Sequence, residues 1–202
     1  MYKQLIWIAI LAIVFIWSAI EPRDRPTWYL EVFPVIIGMV VLAATYHSFR
    51  LTSLLYILIL LHCIVLLVGG HYTYAEVPLF NEMKSLFGFE RNNYDKIGHI
   101  MQGFVPAMIA RELIIRLDII RGRYWRDFFI ICFTLALSAF YELLEWWVAL
   151  VSEQAAEAFL GTQGYEWDTQ SDMGYALIGA VAALVLLSKL HDRQLRELLQ
   201  HG

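Results

Sequence analysis

Apolar residues run in long blocks broken by short polar turns, and within the blocks they occupy every face rather than one stripe. A helix that crosses a bilayer needs about 20 mostly apolar residues. By that measure the pattern predicts about six crossings, at Lys3–Ile20, Trp28–Phe49, Leu51–Gly70, Tyr94–Leu117, Asp127–Val151 and Ser171–Leu190. The expected fold is all-α: a polytopic membrane helix bundle forming a single integral membrane domain over residues 1–202. The first block follows Lys3 and ends near Ser18-Ala19, as a signal peptide would. Its apolar run is long and no small-x-small site follows, so a retained first helix is expected.

Composition agrees. Of 202 residues, 59% are hydrophobic and only 17% charged, against about 25% charged in an ordinary soluble domain. Seven Trp and eleven Tyr suit the membrane–water interface, where the ring is buried and the polar tip stays wet. The length suits one bundle, and no separate soluble domain is expected. The lipid bilayer is the expected partner, and no nucleic-acid partner is expected. Cys63 and Cys132 each lie in an apolar run without CxxC or Cys/His spacing, and read as small buried hydrophobes.

Charge orients the blocks. Arg116, Arg121, Arg123 and Arg126 lie between the fourth and fifth, and Lys189, Arg193 and Arg196 follow the sixth. The segment from Ser152 to Gln170 has no Lys or Arg and carries Glu153, Glu157, Glu166 and Asp168. Positive residues stay cytoplasmic, so both termini are expected inside a bacterial inner (cytoplasmic) membrane, with the fifth-to-sixth loop outside. Arg50 marks an inner turn. The loop Glu21 to Thr27 fits poorly, because it falls outside yet holds Arg23 and Arg25. Between His71 and Asn93, Pro78 can open a helix. Leu79, Met83, Leu86 and Phe87 follow at helical spacing, predicting a short interfacial helix. Ser152 to Leu160 is expected to extend the fifth helix until Gly161, with Gly161 to Gly164 as a turn.

Ionisable residues inside a span are costly and face the bundle interior or a wet cavity. Asp95 and His99 are four apart at the outer start of the fourth block and share a face, which Gln102 continues. Glu142 and Glu145 are three apart in the outer half of the fifth block, roughly 9–14 Å below Val151 at ~1.5 Å rise per residue. Asp168 and Asp172 open the sixth, and His71 ends the third. The inner halves hold mainly His47, Arg111 and Glu112, the last two where long side chains can reach headgroups.

Such a set supports three kinds of chemistry. His71, Asp95, His99, Glu142, Asp168 and Asp172 are candidate ligands for a divalent metal such as zinc or manganese. Crowded carboxylates can instead make a metal-free acid–base pair, with Glu142, Glu145 and His99 as candidate catalytic residues. Or the groups lock the helices together. Asp168 and Asp172 also suit helix capping, Asp95 an interfacial cap, and His62 a hydrogen bond within the bundle. Trp146, Trp147 and Trp167 read as an interfacial belt. Patterns such as HExxH, GxSxG and the P-loop are absent.

The segments His71-Tyr72-Thr73-Tyr74-Ala75-Glu76-Val77-Pro78, Tyr94-Asp95-Lys96-Ile97-Gly98-His99, Tyr141-Glu142-Leu143-Leu144-Glu145-Trp146 and Gly164 to Asp172 resemble the family of bacterial inner-membrane proteins typified by YjdF. A fainter resemblance is to VanZ-like membrane proteins. There an Asp-Lys-x-x-His helix start (here Asp95, Lys96, His99) precedes a Glu-bearing helix (Glu142 or Glu145). An Asp before a small-residue helix (Asp172, then Gly174 and Gly179) comes last. Where a Gln often follows that Glu, this chain has Trp146 and Trp147. VanZ-like proteins are associated with glycopeptide tolerance at the cell envelope. The leading expectation is an outward-facing polar site that binds or acts on a lipid or lipid-linked envelope molecule, by hydrolysis or transfer if it is catalytic. The alternatives are a proton- or ion-coupled transporter, with Glu142 and Glu145 as carriers, and a structural or partner-binding envelope protein. The apolar inner stretch Phe128 to Phe133 argues against a transport path.

Overall fold

A computed structural model describes residues 2–151 and 165–201. Glu153, Glu157 and the expected extension and turn between Ser152 and Gly164 lie outside the described residues. All regular structure among those described is helical. The helices are α1 (Tyr2–Ala19), α2 (Arg25–Thr45), α3 (Ser53–Tyr72), α4 (Pro78–Phe87), α5 (Tyr94–Arg116), α6 (Arg123–Val151) and α7 (Asp168–His201). The protein is a helical membrane bundle. Four helices, α2, α3, α6 and α7, are long and apolar enough to cross a bilayer, and α1 contains the shorter apolar helix Gln4–Ala19. α5 is long but too polar to qualify by composition, because it carries Asp95, Lys96, His99, Gln102, Arg111 and Glu112.

Packing accounts for that polarity. α5 sits inside the bundle against α3, α6 and α7, while α1 and α2 pack on α3. The exposed Ile, Val and Phe residues of α1, α2, α6 and α7 (Ile13, Phe33, Phe129 and Val185 among them) face outward, where lipid replaces water as the solvent. Cys63 is buried as expected, but Cys132 is exposed. A helix solvated by lipid is apolar all round, so an apolar run does not mark which side is inside.

α5 and α7 run parallel, with His99 beside Asp172 and Arg111 beside His191. Their contact is made of small residues. A Cβ on Gly103 would run into the backbone carbonyl of Ala176, and one on Gly179 into the carbonyl of Ile100. Ala107, Ala176, Ala180 and Ala183 are fully buried along the same line. Small residues let helix backbones approach closely where no hydrophobic force drives association.

Helix ends follow local chemistry. α2 begins earlier than the apolar pattern suggests, because Asp24 Oδ2 accepts from Thr27 N at 2.7 Å and proline stands in the first turn. The arginines of that loop are engaged: Arg23 pairs with Glu76 at 3.3 Å, and Arg25 donates to the carbonyl of Ala19 at 2.9 Å. α4 is the short helix expected after Pro78, closed by Gly88 at φ 68°. α7 has 34 residues, about 51 Å at ~1.5 Å per residue, so it outruns a ~30 Å hydrocarbon core.

The start of α3 overturns one expectation. Arg111 and Glu112 do not reach toward headgroups: they are 1% and 0% exposed. Glu112 accepts from Thr52 N at 3.1 Å, Thr52 Oγ1 at 2.8 Å and Arg116 at 3.0 Å. Gln194 of α7 accepts from Leu54 N at 2.8 Å. Two neighbouring helices thus supply the cap that Thr52 does not make for itself. Arg111 donates to His191 Nδ1 at 2.7 Å and to Asp192 at 2.6 Å. An arginine only donates, so Nδ1 is the acceptor and His191 Nε2 carries the proton given to Glu112 at 2.9 Å.

Candidate functional site

At the opposite end of the bundle, α2, α3, α5, α6 and α7 surround a cavity of about 210 Å³. Asp95, Asp168 and Arg91 lie on its wall, with Glu31, Tyr74, Tyr141 and Glu145. Pro34, Leu66, Pro106 and Leu137 add apolar lining, and His62, expected in a hydrogen bond within the bundle, also faces it. Both prolines are inside helices, where each removes one backbone hydrogen bond. For Pro106 the carbonyl left over belongs to Gln102.

The i,i+4 spacing puts Asp95 above His99 on one face of α5, and α7 brings Asp172 to them one turn beyond the Gly103–Ala176 crossing. His99 is 6% and Asp172 4% exposed. His99 Nε2 lies 3.4 Å from Asp95 Oδ1 and 3.7 Å from Asp172 Oδ2. On the other edge of the ring, Nδ1 meets Gln102 Oε1 at 3.2 Å, with Glu142 Oε1 at 3.9 Å. An amide oxygen accepts, so Nδ1 carries a proton. Nε2 then faces two carboxylate oxygens, an arrangement satisfied by a second proton on the ring, a proton on one of the carboxyls, or a cation between the three groups. One ligand atom from each of Asp95, His99 and Asp172 fits within a 4.8 Å span. Bonds of ~2.1 Å in a tetrahedral site set ligands about 3.4 Å apart, close to the spacings found. Asp172 Oδ1 and Glu142 Oε1 are buried and have no hydrogen-bond partner among the described residues.

The other expected site residues sit around this core. Glu142 is buried behind His99, and Glu145 is half-buried on the cavity wall. Asp168 accepts from Arg91 at 2.8 Å, and Arg91 also reaches Asp95 at 3.3 Å and covers the Tyr165 ring. Arg91 therefore ties the starts of α5 and α7 together. His71 is not brought to the cluster. Its Nδ1 meets the carbonyl of Ser18 at 3.1 Å and its ring lies on Trp17 at 4.4 Å. Trp146, Trp147 and Trp167 are exposed, as a belt would be.

Sequence reasoning missed Glu31. It is 5% exposed on α2 and accepts from Tyr74 at 2.9 Å and Tyr141 at 3.2 Å. Burial first, and then the Glu31 carboxylate, push the Tyr74 phenol well above its usual pKa, so it stays protonated and donates. Tyr74→Phe removes one of these donors. The expected cost is about 0.5–1.5 kcal/mol of stability, read as a lower midpoint of thermal unfolding in detergent. An unchanged midpoint would show that this bond carries no stability.

These features define a class: a polytopic membrane helix bundle whose buried His/carboxylate cluster borders a cavity at one end. The chain belongs to the family described as predicted membrane protein (DUF2238), whose model matches residues 3–193. It is similar to the inner membrane protein YjdF of Escherichia coli (strain K12), with 51% identity over 186 residues, 92% of this chain and 89% of the relative. No solved structure matches. With the apolar helices, the relationship makes this a multi-pass inner membrane protein.

Proposed function

We propose that this protein is an envelope protein with an outward-facing, metal-dependent site for the headgroup of a lipid or lipid-linked molecule. Six helices cross the bilayer, both termini are cytoplasmic, and the cavity opens to the outer face. A divalent cation, zinc or manganese by the mixture of imidazole and carboxylate donors, sits between Asp95, His99 and Asp172. The observation that carries this reading is the convergence of one ligand atom each from Asp95, His99 and Asp172 within 4.8 Å, beside the buried Asp172 Oδ1 that has no hydrogen-bond partner among the described residues. Leaving a buried anionic oxygen unpaired is expensive, and a cation removes the expense. Three protein ligands leave a position open for water or a ligand oxygen, where the metal acts as a Lewis acid. Glu142 and Glu145 stand nearby as bases, so hydrolysis or transfer is the reaction class this site suits. Transport finds less support. Toward the inner end from the cavity, α5 and α7 pack backbone on backbone, with Ala107, Met108, Ala180 and Ala183 fully buried.

Elemental analysis of purified protein tests the proposal. About one zinc or manganese per chain is expected, lost in His99→Ala and Asp172→Asn while both variants still elute as folded protein. A wild-type chain without metal, or variants that keep it, would overturn the reading.

A further inference from the structure

The cavity wall opposite His99 is built with unusual care around one carboxylate. Thr73 and Tyr74, neither of them glycine, adopt left-handed backbone at φ 60° and 54°. That conformation costs energy for residues with a side chain and persists only where the surroundings enforce it. Its effect is to turn the Tyr74 ring inward, into a notch left by Gly69 of α3 and Gly98 of α5. A Cβ on Gly69 would strike the ring, and one on Gly98 would come within 2.9 Å of it. The phenol then reaches Glu31, whose own Cβ is seated where Gly70 has no side chain. Tyr141 of α6 holds the second oxygen. Two phenols occupy two of the roughly four acceptor positions of a carboxylate, and the rest of the group borders the cavity.

Charge gives this arrangement a purpose. Glu31, Asp95, Glu145, Asp168 and Asp172 line the cavity, and Arg91 is the only Lys or Arg among the described lining residues. Arg91 is paired with Asp168 and Asp95. A divalent cation at His99 answers Asp95 and Asp172, which leaves Glu31 and Glu145 on the α2 and α6 side. Asp172, on the cavity wall, holds a buried Oδ1 without a hydrogen-bond partner among the described residues, which points to a charged guest beside it. Resting on the reading of this cavity as a headgroup site, we infer that its ligand bears a positively charged amine and that Glu31 receives it. The volume of about 210 Å³ falls below the ~300 Å³ of ordinary small-ligand pockets, so a small ammonium-bearing headgroup fits and its acyl chains stay in the bilayer. A zwitterionic phosphate–ammonium headgroup suits both ends: the phosphate meets the metal, and the ammonium meets Glu31.

Native mass spectrometry of the full chain in detergent tests this, with phosphatidylethanolamine, phosphatidylglycerol and free phosphoethanolamine as probes. The wild type is expected to retain phosphatidylethanolamine over phosphatidylglycerol by about tenfold, or ~1.4 kcal/mol. Competition by free phosphoethanolamine would show that the headgroup alone suffices. Its failure to compete, with the preference intact, would show that the lipid form is required. Glu31→Gln should bring the preference close to one while leaving metal content unchanged, and Tyr141→Phe, which loosens Glu31 without removing it, should lower it less. Equal retention of the two lipids by the wild type, or an undiminished preference in Glu31→Gln, overturns the inference. Metal present with no lipid preference sinks the amine reading alone. A lipid preference without metal sinks the metal site alone.

Discussion

Gly103→Leu is expected to abolish recovery of folded protein from the membrane. Any side chain at 103 must pass through the backbone carbonyl of Ala176, because the obstacle is main chain and not the end of a flexible side chain. Overpacking a core ordinarily costs about 1–3 kcal/mol because neighbouring side chains give way. Here two helix backbones must separate along a line where Ala107, Ala176 and Ala180 are fully buried, so the cost exceeds that range. The measurement is the fraction of detergent-extracted protein that elutes as a single monodisperse species. Gly174→Ala, on α7 with open space around it, is the matched control and should behave as wild type. Normal elution of Gly103→Leu would mean that α5 and α7 do not touch as described.

The same crossing governs the site. His99 lies one turn before Gly103 on α5, and Asp172 lies one turn before Ala176 on α7. Forcing the helices apart therefore moves the imidazole away from the carboxylate it approaches at 3.7 Å. At the proposed metal site the positional tolerance is a few tenths of an ångström, much less than a helix pair can shift and still fold. The closest packing thus begins one turn after the polar cluster: four residues apart, α5 reads Asp95, His99, Gly103 and Ala107, and α7 reads Asp168, Asp172, Ala176 and Ala180.

The bundle was legible because length and apolarity are local properties of a block, and lipid imposes them on each helix independently. The core of the cluster was legible for a related reason: Asp95 with His99, and Asp168 with Asp172, advertise a shared face by spacing alone. Glu31 was not, because its partners Tyr74 and Tyr141 are 43 and 110 residues away and it has no acidic or histidine neighbour at helical spacing on α2. One signal was available, a lone carboxylate within an apolar span, three residues before Pro34. Arg91 sits in a polar stretch where its charge looks ordinary, and only the folded loop carries it to Asp168. His71 has the right chemistry and the right end of α3, but its ring turns toward α1. Arg111 and Glu112 were misplaced because a charge near a helix end reads as a headgroup contact unless a neighbouring helix continues past it. α7 does so, since it runs on through His191 and Gln194.

The network around Glu112 carries the other large effect. Glu112→Ala is expected to destabilise the protein by about 3–5 kcal/mol, the usual cost of removing one partner from a buried ion pair. Thr52, Arg116 and His191 all donate to this one carboxylate, so its loss leaves several buried donors unanswered and uncaps α3. With the carboxylate gone, Arg111 faces His191 across 2.7 Å with no acceptor behind the ring. The check is unfolding in mixed micelles across a double-mutant cycle with His191→Ala. Because both substitutions break the His191–Glu112 bond, the double variant should lose less than the sum of the singles, with a coupling of roughly 0.5–3 kcal/mol. Additive losses would mean that the two groups act separately, and the network would then be no more than adjacent contacts. Strong coupling would instead establish that α3, α5 and α7 are fastened at the Thr52 end of α3 by one shared carboxylate. Two of those helices carry the His99 cluster at the other end, so retention of the proposed metal in Glu112→Gln, which keeps the shape but removes the charge, measures how far that fastening reaches.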